Sequence, residues 1–392
     1  MNDAYIVAGY RSPVGKAPRG NFKFYRPDDL AVDVINHLLK SVPELDPKQV
    51  DDLIVGNAVP EAEQGMQIGR MISLNSNLPI TVPGVTVNRY CASGVETISM
   101  AVSKIRSGFA ECIIAGGTES MSLVPTIGWK FTANYKTALN NPDYYLAMGL
   151  TAEEIVKDYG ISREAQDEFS YNSHMKAINA IENGYFKNEI VPIEIEEIYV
   201  EDNKKISRKS IIEVDEGPRK DTSLEVLAKL RPAFKVNGTV TAGNSSQMSD
   251  GAAFVLVMSE KMVKELNLEP QARMVSYAVA GVDPRIMGIG PVEAIPKALK
   301  MADMSLGDID LVELNEAFAA QSLGVVKEVG LNLDTLNVNG GAIALGHPLG
   351  CTGAKLTVSL LNELRRSNKK YGLVTACIGG GQGVASIFEL LN

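Results

Sequence analysis

Short runs of apolar, mostly β-branched residues alternate along the chain with segments in which apolar residues recur every three to four positions. The runs predict strands, which in the first third of the chain occupy residues 5–9, 52–57, 85–88 and 112–117. Helical periodicity begins at Pro27 and again before Val95. Continuous apolar strands that alternate with helices are typical of a largely parallel sheet. The pattern therefore predicts an α/β fold.

The last third of the chain repeats this order of elements. Helical segments begin at Pro291 and before Leu356, and strands are predicted at residues 275–281, 310–315, 336–339 and 373–377. The run 310–315 begins with aspartate and ends with asparagine, as does the run 52–57. Any α/β protein shows strand–helix alternation, but the repeated spacing favours duplication. We predict two halves, each with a sheet, packed through helices.

Residues 121–246 belong to neither half. They contain helical segments at 152–159 and 164–183 and a charged run at 201–205, which we interpret as a solvated loop. An insertion of this size is well placed to form a binding domain. An apolar run at 252–258 predicts a strand that returns to the first half. The predicted domains are residues 1–120 with 247–270, residues 121–246, and residues 271–392.

Composition and charge narrow the class of protein. The chain has 392 residues, of which 45% are apolar and 22% charged, as in ordinary globular proteins. A net charge of −9 argues against affinity for nucleic acid or an anionic membrane. Residues 1–9 lack a basic region, so we predict no signal peptide. Four unpaired cysteines and three scattered histidines predict a cytoplasmic protein without a metal site.

The first candidate for chemistry is Cys91, in the segment Asn-Arg-Tyr-Cys-Ala-Ser-Gly at 88–94. It lies between a predicted strand end and a helix start, where free N–H groups and the helix dipole lower the pKa of a thiol. The alternative is a small buried thiol without a role, which is common for cysteine. Small neighbouring residues that leave the sulfur accessible favour a nucleophile.

The second candidate is His347, in the glycine-rich segment 339–350. So many glycines suit a loop whose backbone approaches a ligand closely. His37 and His174 lie within helical patterns, so we expect both to be structural or exposed. A histidine beside a cysteine gives an activated nucleophile, which makes His347 a candidate base for Cys91.

Two further motifs also follow predicted strands. Cys377 precedes Gly379 and two more glycines, whose N–H groups are free to stabilise an oxyanion. A dinucleotide-binding loop is the competing interpretation, but no helix and no acidic residue about twenty positions later support it. Asn315 heads the segment Asn-Glu-Ala-Phe and is either functional or a helix N-cap. We expect the other two cysteines, Cys112 and Cys351, to be structural.

Taken together, the segments 88–94, 315–318, 340–348 and 377–381 resemble the four motifs of the thiolase family in order and spacing. The resemblance covers essentially the whole chain. It implies the duplicated thiolase fold, a five-layered αβαβα arrangement with an inserted loop domain. It also implies acyl-CoA and CoA as substrates, no cofactor, and a homodimer or homotetramer.

The resemblance implies a role for each matching residue. Cys91 would carry the acyl group as a thioester, and His347 would activate it. His347 and a water held by Asn315 would polarise the thioester oxygen of the bound CoA substrate. Cys377 would be the second acid and base, acting on the acetyl-CoA enolate. The N–H groups of Cys91 and Gly379 would form the oxyanion hole.

Within the insert, the resemblance offers Arg219 for the nucleotide end of CoA and Ser246 for the pantetheine arm. Segments 60–65 and 89–91 resemble degradative 3-ketoacyl-CoA thiolases, whereas biosynthetic enzymes have a histidine where Ala147 stands. We therefore expect thiolytic cleavage of 3-ketoacyl-CoA, as in fatty acid β-oxidation. The alternative is an acetyl-CoA C-acetyltransferase that condenses two acetyl-CoA. A thiolase-like carrier without activity would have lost these reactive residues.

Overall fold

The computed structural model describes residues 3–391, so Met1, Asn2 and Asn392, at the ends of the predicted domains, lie outside it. Its strands are β1 Ala4–Arg11, β2 Gly15–Lys16, β3 Asp52–Gly56, β4 Gly84–Val87, β5 Cys112–Ser120, β6 Ile193–Glu201, β7 Lys204–Ile212, β8 Ser249–Ser259, β9 Ala272–Gly281, β10 Leu311–Leu314, β11 Tyr371–Ile378 and β12 Gln382–Leu390. Its α-helices are α1 Pro27–Ser41, α2 Ile68–Asn75, α3 Ser93–Arg106, α4 Tyr135–Asn140, α5 Met148–Tyr159, α6 Arg163–Glu182, α7 Leu224–Ala228, α8 Glu260–Glu265, α9 Gly290–Ala302, α10 Ala319–Val329, α11 Ala342–Leu345 and α12 Leu349–Ser367.

Each half of the chain builds one part of the main sheet. The first half contributes the order β4-β3-β5-β8-β1, and the second half contributes β10-β11-β12-β9. Strand β8 lies between β1 and β5, which confirms that the run at 252–258 returns to the first half. The prediction of two separate sheets needs one correction. Strands β1 and β9 join the parts edge to edge through the pairs Tyr5–Arg273 and Ile6–Ala272.

The sheet is mixed, so the prediction of a largely parallel sheet was wrong. Only the ladders β3–β4, β3–β5 and β10–β11 are parallel, whereas β8 and β12 run antiparallel to both of their neighbours. Strands β5 and β8 are buried along their whole length. A strand covered on both faces has a continuous apolar sequence whatever its direction, so the sequence pattern does not reveal the orientation.

Two helices lie between the halves and explain the layered architecture. Helices α3 and α12 pack against each other, α3 against the first-half strands and α12 against strands of both halves. Their apolar side chains share one buried cluster with the inner faces of both halves. Helices α1 and α2 cover the outer face of the first half, and α9 and α10 that of the second. The order is αβαβα, as predicted.

Three local predictions differ from the structure. Residues 336–339 form no extended strand: Leu336 makes an isolated parallel bridge to Val312, and beyond it the side chain of Asn337 donates to the Leu314 carbonyl and accepts from the Leu314 N–H. The charged run 201–205 is exposed, as predicted, but only Asp202 and Asn203 form a turn, because Glu201 ends β6 and Lys204 begins β7. Residues 382–390, which lie outside the strands predicted above, form β12 in the middle of the second half.

Among residues 3–391, no helix combines the length and the apolar character needed to cross a membrane. The longest, α6, has 20 residues and alternates charged, polar and apolar side chains.

Candidate active site

Cys91 lies in a short 3₁₀ turn, Tyr90–Ala92, that connects the end of β4 to the start of α3. The Ser93 hydroxyl stabilises this turn, since it accepts from the Arg89 N–H and donates to the Tyr90 carbonyl. Tyr90 has a φ of 44°, a left-handed conformation that non-glycine residues rarely adopt. Cys91 is partly buried, whereas the other three cysteines are fully buried. Of the four cysteines, Cys91 is therefore the one that retains some exposure.

The electrostatic prediction for this thiol was wrong in direction. Burial raises the pKa of Cys91 to about 11, although the N–H groups of Gly379 and of Cys91 itself donate toward the sulfur and act against the rise. The buried Glu119 carboxyl adds to the increase in pKa. Desolvation therefore outweighs the N–H groups and the helix start. The resting nucleophile is a neutral thiol.

His347 is held with one ring nitrogen free to act as a base. Its Nδ1 lies 2.6 Å from the hydroxyl oxygen of Thr352, and that hydroxyl donates its own proton to the Pro348 carbonyl at 2.9 Å. Because the Thr352 oxygen can then only accept, Nδ1 must carry the ring proton. Nε2 is left with its lone pair, 3.3 Å from Asn315 Nδ2. The hydrogen-bond network therefore selects one tautomer.

The imidazole of His347 is neutral at physiological pH. Burial, reinforced by the nearby Lys355 cation, lowers the pKa of His347 to about 3. Lys355 is itself buried in α12, and its Nζ donates to the Gly346 carbonyl, directly before the histidine. A neutral base can take the proton of a neutral thiol during the reaction rather than before it.

Asn315 follows β10 and brings its amide to the same site. Its backbone N–H donates to the Thr375 carbonyl of β11 at 2.9 Å, which fixes it at the end of two parallel strands. Its Oδ1 is buried and finds no hydrogen-bond partner within residues 3–391. A buried acceptor without a partner, beside a histidine base, is suited to hold a water or a substrate donor. Asn315 is not a helix N-cap, since α10 begins only at Ala319.

Cys377 is fully buried near the end of β11, and the glycines that follow it turn the chain into β12. Burial raises the pKa of Cys377, and the neighbouring Cys91 raises it further, so the two sulfurs lie close together. Gly380 and Gly381 have φ values of 81° and 82° and form the hairpin turn. Gly379 precedes them with its N–H directed at the Cys91 sulfur.

Two buried carboxylates hold the catalytic loops together. Glu119 of β5 accepts from the N–H groups of Ala58 and Gly350, so it connects the first half to the start of α12. Glu316 accepts from Ser173 of α6 and from the Ile343 N–H, so it connects the insert to the loop before His347. The sequence does not single out Glu119 or Thr352. Thr352 could have been found from its position, since it places a hydroxyl five residues after His347, on the first turn of a helix.

Ser246 and Arg219, the two residues predicted to contact CoA, lie in different parts of the structure. Ser246 lies beside the Asn315 segment, because its N–H donates to the Ala317 carbonyl at 2.9 Å. Arg219 is exposed at the edge of the insert, and its N–H donates to His174 Nδ1 at 3.2 Å. The adjacent Gln247 side chain donates to the Gly217 carbonyl and to the loop before His347. Gln247 therefore connects the segment before Arg219 to the loop before His347.

The remaining histidines and cysteines have structural surroundings. His174 is buried, and desolvation lowers its pKa to about 4, so it is a neutral hydrogen-bond acceptor. His37 packs edge-on against the Tyr10 ring, with ring centres 4.6 Å apart. Cys112 lies within a buried strand, and burial raises the pKa of Cys351 in α12 to about 12. These placements confirm the sequence interpretation of all four residues.

Comparison with known proteins gives one consistent result. The family model "Thiolase, N-terminal domain" matches residues 4–261, and "Thiolase, C-terminal domain" matches residues 268–390. The chain is 51% identical over 391 residues to the 3-ketoacyl-CoA thiolase of Bacillus subtilis (strain 168), covering 100% of both proteins. It is 43% identical to a probable acetyl-CoA acyltransferase of Staphylococcus aureus (strain NCTC 8325 / PS 47), covering 99% of each.

The solved structures agree with these relatives. The crystal structure of the Bacillus anthracis acetyl-CoA acetyltransferase superposes with a TM-score of 0.90 at 42% identity and covers 100% of this chain and 99% of that one. The four motifs, the layered fold and the two family models lead to the same conclusion. The chain belongs to the thiolase family of acyltransferases.

Proposed function

We propose that the protein is a 3-ketoacyl-CoA thiolase, which cleaves 3-ketoacyl-CoA with CoA to acetyl-CoA and a shortened acyl-CoA. The observation that supports this most is the arrangement at Cys91. Two N–H groups point at its sulfur, a second buried thiol lies beside it, and a neutral His347 has its base nitrogen beside Asn315. This combination suits a nucleophile that accepts and releases an acyl group.

In the first half-reaction, His347 Nε2 takes the proton of the Cys91 thiol as the sulfur attacks the 3-keto carbon. The N–H groups of Cys91 and Gly379 stabilise the oxyanion. The bond between C2 and C3 then breaks, which leaves the acyl group on Cys91 and the electron pair on the acetyl-CoA enolate. Asn315 and His347 face the enolate oxygen, and Cys377 gives its proton to C2. Acetyl-CoA leaves.

In the second half-reaction, the Cys377 thiolate takes the proton of the CoA thiol. The CoA sulfur attacks the acyl carbon on Cys91, and the same two N–H groups stabilise the second oxyanion. The intermediate collapses to acyl-CoA, and the Cys91 thiolate recovers its proton from His347. Every group returns to its starting state. One thioester replaces another, so the acyl group stays activated and no resident cofactor or metal is required.

The experiment is steady-state thiolysis of acetoacetyl-CoA and of longer 3-ketoacyl-CoA substrates. We expect Cys91→Ala to abolish turnover and acyl transfer to the protein. Cys377→Ala should still be acylated at Cys91 by acyl-CoA but should lose proton exchange at C2 of acetyl-CoA. Iodoacetamide should modify Cys91 first, and an acyl-CoA should protect it. Full activity of Cys91→Ala would disprove the mechanism.

The alternative within the family is a short-chain acetyl-CoA C-acetyltransferase, as the name of the Bacillus anthracis structure suggests. Activity confined to the C4 substrate would favour that alternative. For the CoA contacts, Arg219→Ala and Ser246→Ala should raise KM for CoA while kcat stays within about twofold. We further propose that the protein is cytoplasmic and that it forms a homodimer or homotetramer. Light scattering of the purified protein would test the oligomeric state.

A further inference from the structure

The buried carboxylate of Glu316 lies directly after Asn315, and the reaction steps proposed above do not involve it. Glu316 is 1% exposed. Its Oε1 accepts from Asn337 Nδ2 at 2.8 Å, and its Oε2 accepts from the Ser173 hydroxyl at 2.7 Å and from the Ile343 N–H at 3.1 Å. Both carboxylate oxygens are therefore engaged within the protein.

All three hydrogen-bond partners of Glu316 are donors, which fits an ionised carboxylate. The orientation of the Asn337 amide is fixed, because its Oδ1 accepts from the Leu314 N–H and its Nδ2 also donates to the Leu314 carbonyl. The Ser173 hydroxyl accepts from the Gly341 N–H at 3.1 Å, so its own proton is directed at Glu316. Burial raises the pKa of Glu316, and the three donors oppose that rise. Such charge-assisted hydrogen bonds hold their partners in defined positions.

The loop before His347 is built around this carboxylate. A Cβ atom placed on Gly341 would lie 2.1 Å from the Glu316 carboxyl carbon. Because three hydrogen bonds hold the carboxylate there, a side chain at position 341 would displace it. Helix α11 follows Gly341, receives the Glu316 contact at Ile343 and ends at Leu345, two residues before His347. Glu316 therefore holds the chain that leads to the base.

The insert contributes to the same arrangement through α6. Ser173 of α6 lies 143 positions before Glu316 in the sequence, and its hydroxyl joins Glu316 to the Gly341 N–H. Lys176, one turn later in α6, donates from Nζ to the Leu336 carbonyl at 2.9 Å. Its positive charge also acts to lower the pKa of Glu316. Helix α6 thus holds both the carboxylate and the loop that the carboxylate binds.

We infer that Glu316 is a positioning residue for the enolate step, and that Ser173 of the insert completes its function. The inference rests on the proposed function, because it concerns the residues that face the enolate oxygen in that reaction. Asn315 is the chain neighbour of Glu316, and His347 follows the loop that Glu316 holds. One carboxylate therefore sets the 3.3 Å separation between Asn315 Nδ2 and His347 Nε2.

Acyl transfer to Cys91 depends on other contacts. The turn that carries Cys91 is held by the Ser93 hydroxyl. The ring of His347 is held by Thr352, and the carbonyl before it accepts from Lys355. Loss of the Glu316 contacts should therefore displace Asn315 relative to His347 and leave His347 in place for acyl transfer. The enolate step should suffer, whereas acylation of Cys91 should persist.

The test compares two partial reactions. Exchange of the C2 hydrogens of acetyl-CoA with deuterium oxide requires the enolate, whereas acetyl transfer between acetyl-CoA and labelled CoA requires only acylation of Cys91. Ser173→Ala removes one donor to Glu316 and the acceptor of the Gly341 N–H. We expect C2 exchange to fall by about 10- to 100-fold while acetyl transfer stays within about threefold, since a displacement of about 1 Å can cost roughly a hundredfold in rate. Glu316→Gln puts a donor where Glu316 only accepts, so it should show the same pattern with a larger loss.

The matched control is Ser170→Ala. Ser170 is also buried in α6, three residues before Ser173, but its hydroxyl donates within the helix to the Gln166 carbonyl at 2.7 Å. This variant should change neither partial reaction. Equal losses of C2 exchange and acetyl transfer in Ser173→Ala, or an unchanged C2 exchange, would overturn the inference, and Ser173→Ala decides alone if Glu316→Gln does not fold. A wild-type protein that catalyses neither partial reaction would instead refute the proposed function and the inference with it.

Discussion

The contact between Thr352 and His347 predicts a large effect from a small substitution. Thr352→Val replaces a hydroxyl by a methyl group of similar size at a fully buried position of α12. The Nδ1–H of His347 then loses its acceptor at 2.6 Å. The proton is no longer held on Nδ1, so the tautomer with a free Nε2 loses its advantage. The base function should fail although every catalytic residue is present.

The size of the effect follows from the cost of an unpaired buried donor. That cost is about 1–3 kcal/mol, which corresponds to roughly 5- to 150-fold in rate. We expect kcat for thiolysis to fall within this range while KM for CoA stays within about twofold, because the substitution does not alter Arg219 or Ser246, the residues proposed to contact CoA. Thr352→Ser keeps the hydroxyl oxygen and should restore kcat to within about threefold of the wild type.

A matched control separates catalysis from stability. Thr357 is also fully buried in α12, and its hydroxyl donates to the Gly353 carbonyl at 2.8 Å, as Thr352 donates to Pro348. Thr357→Val should therefore lose the same kind of helix hydrogen bond, with its stability cost measured by urea unfolding, but leave kcat unchanged. A Thr352→Val variant with wild-type kcat, or a Thr352→Ser variant as slow as Thr352→Val, would refute the tautomer argument.

Two further predictions concern ionisation and stability. Because burial holds the pKa of Cys91 near 11, the rate of its alkylation by iodoacetamide should rise about tenfold per pH unit from pH 7 to 9; a plateau below pH 8 would contradict this. Arg11→Met leaves the buried carboxylates of Glu189 and Asp215 without their cation and should lower the free energy of unfolding by about 3–5 kcal/mol. Arg285 is only partly buried in its ion pairs with Glu154 and Asp158, so Arg285→Met should cost about 1 kcal/mol or less, and equal losses would count against the argument.

The sequence predicted where the reactive residues meet, because strand ends are local features of the pattern. Cys91, Asn315 and Cys377 each follow or end a strand, and the structure brings all three to one region. The charge state of Cys91 could not be predicted in this way. Its pKa depends on how much protein covers the sulfur, and residues distant along the chain supply that cover.

Strand β12 shows a second limit of the pattern. Residues 382–390 carry apolar side chains mixed with Ser386 and Glu389, and nothing local marks them as a central strand. The turn at Gly380 and Gly381 places this segment between β11 and β9, where it becomes buried. The sequence pattern does not identify Thr352 and Glu119 for a related reason. Their partners lie on loops that meet only in the folded chain.

The neutral resting state of Cys91 has a consequence for the chemical survival of the enzyme. Oxidants such as hydrogen peroxide attack the thiolate and react slowly with the protonated thiol. At a pKa near 11, only about one molecule in ten thousand carries the thiolate at pH 7. The free enzyme should therefore resist peroxide, and its vulnerable interval should be the moment when His347 holds the proton. Occupation of the site by substrate excludes small oxidants during that interval.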